Sequence, residues 1–202
     1  MYLIVTRSFP PEVGGMQNLM WGLTKELSKN YMLKVFADYQ DNHKIFDEQV
    51  SFSIERVGGI KLLRKYRKAQ LINQFTKENK VEGIIADHWK SLELIKSTKK
   101  KICLIHSKEI NHEKKTNLNK RVLNVLNNVD LVVANSKYTK DLAIKCGVDE
   151  SRIIIINPGV DPVQELNNKS LHKVESLLKH KSPRLITVSR YDKRKNHEKV
   201  IM

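Results

Sequence analysis

The sequence predicts an α/β fold: a Rossmann-like parallel sheet with helices on both faces. Short runs rich in β-branched residues recur along the chain, and amphipathic stretches of helical period separate them. The first run also leads through a pair of glycines straight into a helical stretch, the connection by which α/β proteins hold phosphates.

The first strand is YLIVT (2–6), followed by RSFPPEVGGMQN (7–18) and a helix over 16–29. Pro10 and Pro11 fix φ and remove donors, whereas Gly14 and Gly15 permit positive φ and the approach of another group to bare backbone. A tight connection without a ligand remains the alternative reading of this loop. MLKVFA (32–37) and SFSIERV (51–57) are the next strands, then a helix over 61–79. In that helix Lys61, Arg64, Lys65, Arg67 and Lys68 crowd around Leu62, Leu63 and Tyr66, which reads either as a solvated face or as an interfacial helix for anionic lipid. GIIA (83–86) is a strand whose end carries Asp87, His88 and Trp89, before a helix over 90–98. ICLI (102–105) ends at His106, on the edge where open parallel sheets place their sites. A helix over 117–128, the strand LVVA (131–134) and a helix over 136–146 follow, the last with Ser136 as N-cap and Gly147 as C-cap. RIIII (152–156) is the last strand before NPGVD (157–161).

There the composition changes. PVQELNNKSLHKVESLLKHK is polar and lysine-rich with a helix over 170–180, and a fresh strand RLITV (184–188) runs into SRYDKRKNHEKVIM. One strand and a turn of helix cannot make a stable domain. The expectation is one domain over 1–161, with 162–202 as a linker and the first strand of a second, truncated domain.

With 202 residues, 40% hydrophobic and 29% charged, the chain can bury an ordinary core. A net charge of +15 and a pI of about 9.8 favour anionic partners, whether nucleic acid, lipid or phosphorylated substrate. Cys103 and Cys146 have neither CxxC nor Cys/His metal spacing, so they read as small hydrophobes and no metal site is expected. No apolar run has the length of a signal h-region or a membrane span, and the expectation is a soluble, cytoplasmic protein. No RNP-type motif, zinc-finger spacing or helix-turn-helix supports nucleic-acid binding.

Four segments in order, FPPEVGGMQ (9–17), LIHSKE (104–109), ANSKYTKDLAIKCGVDESRIIIINPGVD (134–161) and LITVSRYDKRKNHEKVI (185–201), resemble the group 1 (family 4) retaining glycosyltransferases. The resemblance implies the N-terminal, acceptor-binding domain of a GT-B fold. It also implies transfer of a hexosyl group from a nucleoside-diphosphate sugar to a sugar or lipid-linked acceptor in lipid or surface-polysaccharide synthesis, with no cofactor. It places Gly14, Gly15, Arg190 and Lys195 at the donor diphosphate, His106 at the reacting centre as the catalytic residue, and Glu109 as the acid that follows it. Asp87, His88 and Glu109 are candidates for the acceptor cleft, and Trp89 reads as core. Ser107 stands where the family often has glycine. Members that work on lipid dock on anionic membrane, so a peripheral place at its inner face is part of the expectation. The fragment alone is expected to be inactive. A sugar-nucleotide epimerase of similar fold and a basic nucleic-acid or membrane-surface binding module are the alternatives.

Overall fold

A computed structural model describes residues 1–160, 167–179, 182–189, 191 and 193–201. The chain divides into two compact units, Met1–Gly159 and Val160–Met202.

In the first unit seven strands form one parallel sheet: β1 (Tyr2–Val5), β2 (Leu33–Asp38), β3 (Ser53–Val57), β4 (Gly83–Ala86), β5 (Lys100–Ile105), β6 (Leu131–Ala134) and β7 (Ile153–Ile155). Their order is β3-β2-β1-β4-β5-β6-β7. From β1 the chain builds outward one way to β3, then returns to β4 and builds the other way. The direction therefore reverses between β1 and β4, and the connections that follow them leave in opposite directions, the switch point at whose C-terminal edge open parallel sheets form their binding crevice.

Helices α1 (Gly15–Ser28), α2 (His43–Asp47), α3 (Lys61–Glu78), α4 (Trp89–Leu92), α5 (Asn117–Leu126) and α6 (Lys137–Cys146) cover the two faces. Side-chain alternation along each strand divides the core. Leu3, Val5, Phe36, Ile84, Ala86, Cys103 and Ile105 pack against Ile72 of α3, Trp89 and Leu92 of α4 and Val122 and Leu126 of α5. Ile4, Val35 and Ala37 point the other way, to Phe9, Met20 and Trp21.

Local chemistry sets the element ends. The Ser136 hydroxyl accepts from Thr139 N at 3.2 Å to start α6, and Gly147, at φ 107°, ends it with its N–H on Ile144 O at 2.9 Å. The helix expected over 90–98 stops at Leu92 because α3 takes over the backbone beyond it. Asn73 Nδ2 donates to Leu94 O at 3.2 Å and Asn73 Oδ1 accepts from Lys96 N at 2.8 Å. The five-residue α2 is too short for a periodic pattern, and it stands because Phe46 packs on Phe9 and Trp21.

In the second unit α7 (Asn168–Leu178) is capped by Asn167 and buries none of its residues, and α8 (Glu198–Ile201) is a single turn. Residues 184–188 are in no strand, against the sequence expectation, and Leu185, Ile186 and Val188 are exposed. A strand needs a neighbour to take its N–H and C=O groups. Among the described residues of this unit there is no other strand.

Candidate functional site

The crevice between β1 and β4 is organised by one carboxylate. Asp87, first residue after β4, is 3% exposed. Its Oδ2 accepts from Thr6 Oγ1 at 2.7 Å and Arg7 N at 3.1 Å, and its Oδ1 accepts from Ser91 Oγ at 2.9 Å. Both oxygens are committed, so Asp87 ties the loop after β1 to the loop after β4 and presents no free oxygen to a substrate.

His88 caps α4: its Nδ1 accepts from Lys90 N at 3.0 Å, which places the ring proton of the neutral form on Nε2. Burial, then the charge of Arg7 and those of Lys90, His106 and His112, push its pKa down to about 3. It is a neutral N–H donor throughout the physiological range.

His106 follows β5, and its backbone N–H is held by a short hydrogen bond to the Glu109 carboxylate. The Glu109 carbonyl accepts from Trp89 Nε1 at 2.9 Å and lies 3.0 Å from His112 Nε2. Glu109 thus folds the loop 106–112 through Oε1 and its backbone carbonyl. The turn needs a left-handed residue at 107, and Ser107 sits at φ 84°, where glycine would carry no steric penalty. The His106 imidazole shows a different property: Nε2 is buried and has no hydrogen-bond partner. A buried, unpartnered polar atom costs free energy unless a ligand completes it. Trp89, fully buried, is core, as the sequence indicates.

Beyond Arg7 the loop is held by tertiary bonds more than by its prolines. Arg56 donates to Pro10 O at 2.5 Å while paired with Asp47 at 2.6 Å, and Gln40 accepts from Glu12 N at 3.2 Å. Neither Gly14 nor Gly15 uses the left-handed backbone that the sequence reading allows for glycine. Gly14 is extended at φ 172°, and a Cβ there would collide with the Gln17 amide. Gly15 opens α1, and a Cβ there would meet no atom within 4 Å. The glycine pair leaves open space at a helix start.

Lys68 is the residue that sequence reasoning misplaced. It is only 5% exposed, with Nζ donating to Thr6 O at 2.7 Å and forming a close ion pair with Asp38 at the end of β2. Burial lowers its pKa, and the Asp38 carboxylate opposes that. The signal was present: Lys68 lies one turn before the buried Ile72, on the inward side of α3. Arg7 was missed too, and only its place after β1 marks it.

Of the donor-side residues, Arg190 lies outside the described residues. Lys195 is exposed, in a 3-10 turn over Lys193–Lys195. No metal-ligating group of three or more His, Cys, Asp or Glu occurs among the described residues.

A seven-stranded parallel Rossmann-like sheet with its polar residues gathered at the switch point has the architecture of the N-terminal domain of GT-B glycosyltransferases. The sequence profile of Glycosyltransferase Family 4 matches residues 13–164, and the chain belongs to that family. No curated protein matches it in sequence. Among solved structures it is similar to Anabaena HepE in complex with UDP and glucose, with TM-score 0.68 and 18% identity over 88% of this chain and 50% of that one. It is similar to sucrose-phosphate synthase from Thermosynechococcus elongatus, with TM-score 0.70 and 15% identity over 99% of this chain and 58% of that one. The UDP-N-acetylglucosamine 2-epimerase of Rickettsia bellii is also similar, at TM-score 0.58 and 7% identity, over 88% and 47% of the two chains. At these identities the likeness is one of fold. The chain spans about half the length of the solved proteins it matches.

Proposed function

We propose that this domain binds the acceptor in a retaining hexosyltransferase, which moves a hexosyl group from a nucleoside-diphosphate sugar to an acceptor hydroxyl in lipid or surface-polysaccharide glycosylation. The observation that carries this reading is the buried, unpartnered Nε2 of His106 at the edge of the switch-point crevice of a family 4 domain. An acceptor or sugar hydroxyl would complete that atom. The Anabaena relative was solved with UDP and glucose, which supports a sugar nucleotide as donor. Family membership favours transfer over the epimerase reading, although an epimerase shares the fold.

In this reading residues 1–161 form the acceptor-binding domain and 162–202 begin the donor-binding one. Gly14 and Gly15 admit the donor's diphosphate, and Arg190 and Lys195 stabilise the charge that the departing nucleoside diphosphate gains, most strongly where water is excluded. No covalent nucleophile is part of this proposal. The reaction calls for no cofactor beyond the sugar nucleotide. The test is hexose transfer from UDP- and GDP-sugars by an enzyme that carries this domain together with its donor-binding domain. There Gly15→Val is expected to raise donor KM or lower kcat about tenfold with the fold retained, because the added branch meets ligand space and no protein atom. Unchanged kinetics would remove the diphosphate from Gly15.

The proposal extends to peripheral contact with anionic membrane. Among the described residues no helix is long and apolar enough to cross a bilayer. The first turns of α3, however, expose Ile60, Leu62, Leu63 and Tyr66 beside Lys61 and Lys65, with Leu62 80% exposed. Because α3 leaves the end of β3, this tip stands at the same edge of the sheet as the crevice. Vesicles containing phosphatidylglycerol should float the protein and phosphatidylcholine vesicles should not, and Leu62→Glu with Leu63→Glu should abolish flotation without lowering Tm. Equal flotation with both lipids, or indifference to the substitutions, would refute it.

A further inference from the structure

We infer that the crevice takes an acceptor carrying an anionic group, a phosphate or a carboxylate, with Arg7 as its cation and His88 as the neutral donor beside it. The inference rests on the acceptor-binding reading above and names the substrate class of that site.

Arg7 is anchored but unspent. Its backbone N–H is fixed on Asp87 at 3.1 Å, which sets where its side chain starts, while the side chain is exposed and makes no hydrogen bond or ion pair among the described residues. The other described arginines of the first unit are engaged. Arg56 holds Asp47, Arg64 reaches Asp38, Arg67 donates to Gly58 O, Arg121 clasps Glu93 and Arg152 donates to Val129 O. An arginine without a side-chain partner on a hydrogen-bonded backbone anchor has a free bidentate fork, which suits phosphate and carboxylate.

The carboxylates that frame the crevice do not answer it. Asp87 is spent on Thr6, Arg7 N and Ser91, Glu109 on His106 N, and Asp38 on Lys68 and Arg64. Asp87 and Glu109 keep their charge but direct it at hydroxyls and backbone N–H groups, so neither forms an ion pair with the Arg7 guanidinium. Arg7 heads the neighbouring charges that press on His88, and Lys90, His106 and His112 act in the same direction. An imidazole held neutral by burial and by that field keeps its Nε2 proton and donates to an oxygen without adding a charge. A guanidinium for the charge and a neutral N–H for a third oxygen form a recognition pair for an anionic sugar substituent. Gly14 and Gly15, at the far end of the same loop, are assigned above to the donor's diphosphate, which leaves Arg7 for the acceptor.

All these residues lie in Met1–Gly159, so the 202-residue chain itself can be used. Calorimetry at fixed ionic strength would compare glucose 6-phosphate, glucuronate and glucose as probes, with UDP as competitor. The expected result is that at least one of the two anionic sugars binds about tenfold or more tighter than glucose. Arg7→Gln should erase the difference with Tm unchanged, Arg7→Lys should keep part of it, and the exposed-surface control Lys25→Gln should keep all of it. Equal binding of all three sugars would overturn the inference. So would a preference that survives Arg7→Gln, which would belong to the net charge of +15 rather than to this site. Displacement of the anionic sugars by UDP would give Arg7 to the donor and equally overturn it. Because no transfer is measured, absence of hexosyltransferase activity would sink the proposed function and leave this binding result standing.

Discussion

Replacing His106 with alanine is expected to cost about a hundredfold or more in kcat, in an enzyme that carries this domain with its donor-binding domain, and to leave Tm nearly unchanged. The two halves of that result come from different atoms of the residue. The loop 106–112 is held through the His106 backbone N–H, which alanine retains, and through the Glu109 carbonyl. The imidazole contributes a buried Nε2 with no partner, so its removal takes no hydrogen bond from the folded domain. A ring that makes no hydrogen bond in the fold, at a strand end beside the switch point, is what the proposed ligand role requires. Donor KM should move less than kcat, since the diphosphate is assigned to other residues. The opposite outcome, a lower Tm with kcat intact, would make His106 a packing residue.

The fold was legible because it rests on local pattern. Runs such as YLIVT, GIIA and LVVA announce strands buried on both faces, and Ser136 with Gly147 brackets α6 by capping chemistry alone. What failed to show was decided at long range. The early end of α4 depends on the Asn73 side chain, and α2 depends on Phe46 meeting aromatic rings from the other end of the chain segment. RLITV has strand composition but no neighbour among the described residues of its unit, and composition cannot supply one.

The candidate site was legible in position and less so in role. Strand ends after β4 and β5 gave Asp87, His88 and His106 from the sequence, and the family resemblance gave Glu109. Only coordinates separate carboxylates that hold loops from an imidazole whose buried Nε2 has no partner. A buried lysine looks like its solvated neighbours in sequence, so Lys68 was grouped with the basic face, although its charge is spent on Asp38 and Thr6 O. Arg7 lacked any motif, and its interest comes from the absence of a partner.

Asp87→Ala is expected to destabilise the domain by about 2–4 kcal/mol, which for a chain of this size lowers Tm by roughly 10 °C. Alanine strands three donors at once: the buried Thr6 hydroxyl and the part-buried Arg7 N and Ser91 hydroxyl. Thr6 can turn its single proton to Ser8 O, which is 2.9 Å away, and a water can reach Ser91, but Arg7 N has no other acceptor in the fold. Asp87→Asn separates charge from shape. With its amide oxygen in the place of Oδ2 it still accepts from Thr6 and Arg7 N, and its NH2 then faces Ser91, whose hydroxyl can accept instead of donate. Asparagine should therefore lose only the charge-assisted part, about 1 kcal/mol, and Ser91→Ala a similar amount. The ordering Ala far below Asn, read by thermal or urea unfolding, is what a joint between β1 and β4 requires. The same joint positions Arg7, so Asp87→Ala, and not Asp87→Asn, should also weaken binding of an anionic sugar at temperatures well below Tm. If alanine and asparagine were equally mild, the carboxylate would be free of the fold and would return to the acceptor cleft as a contact residue.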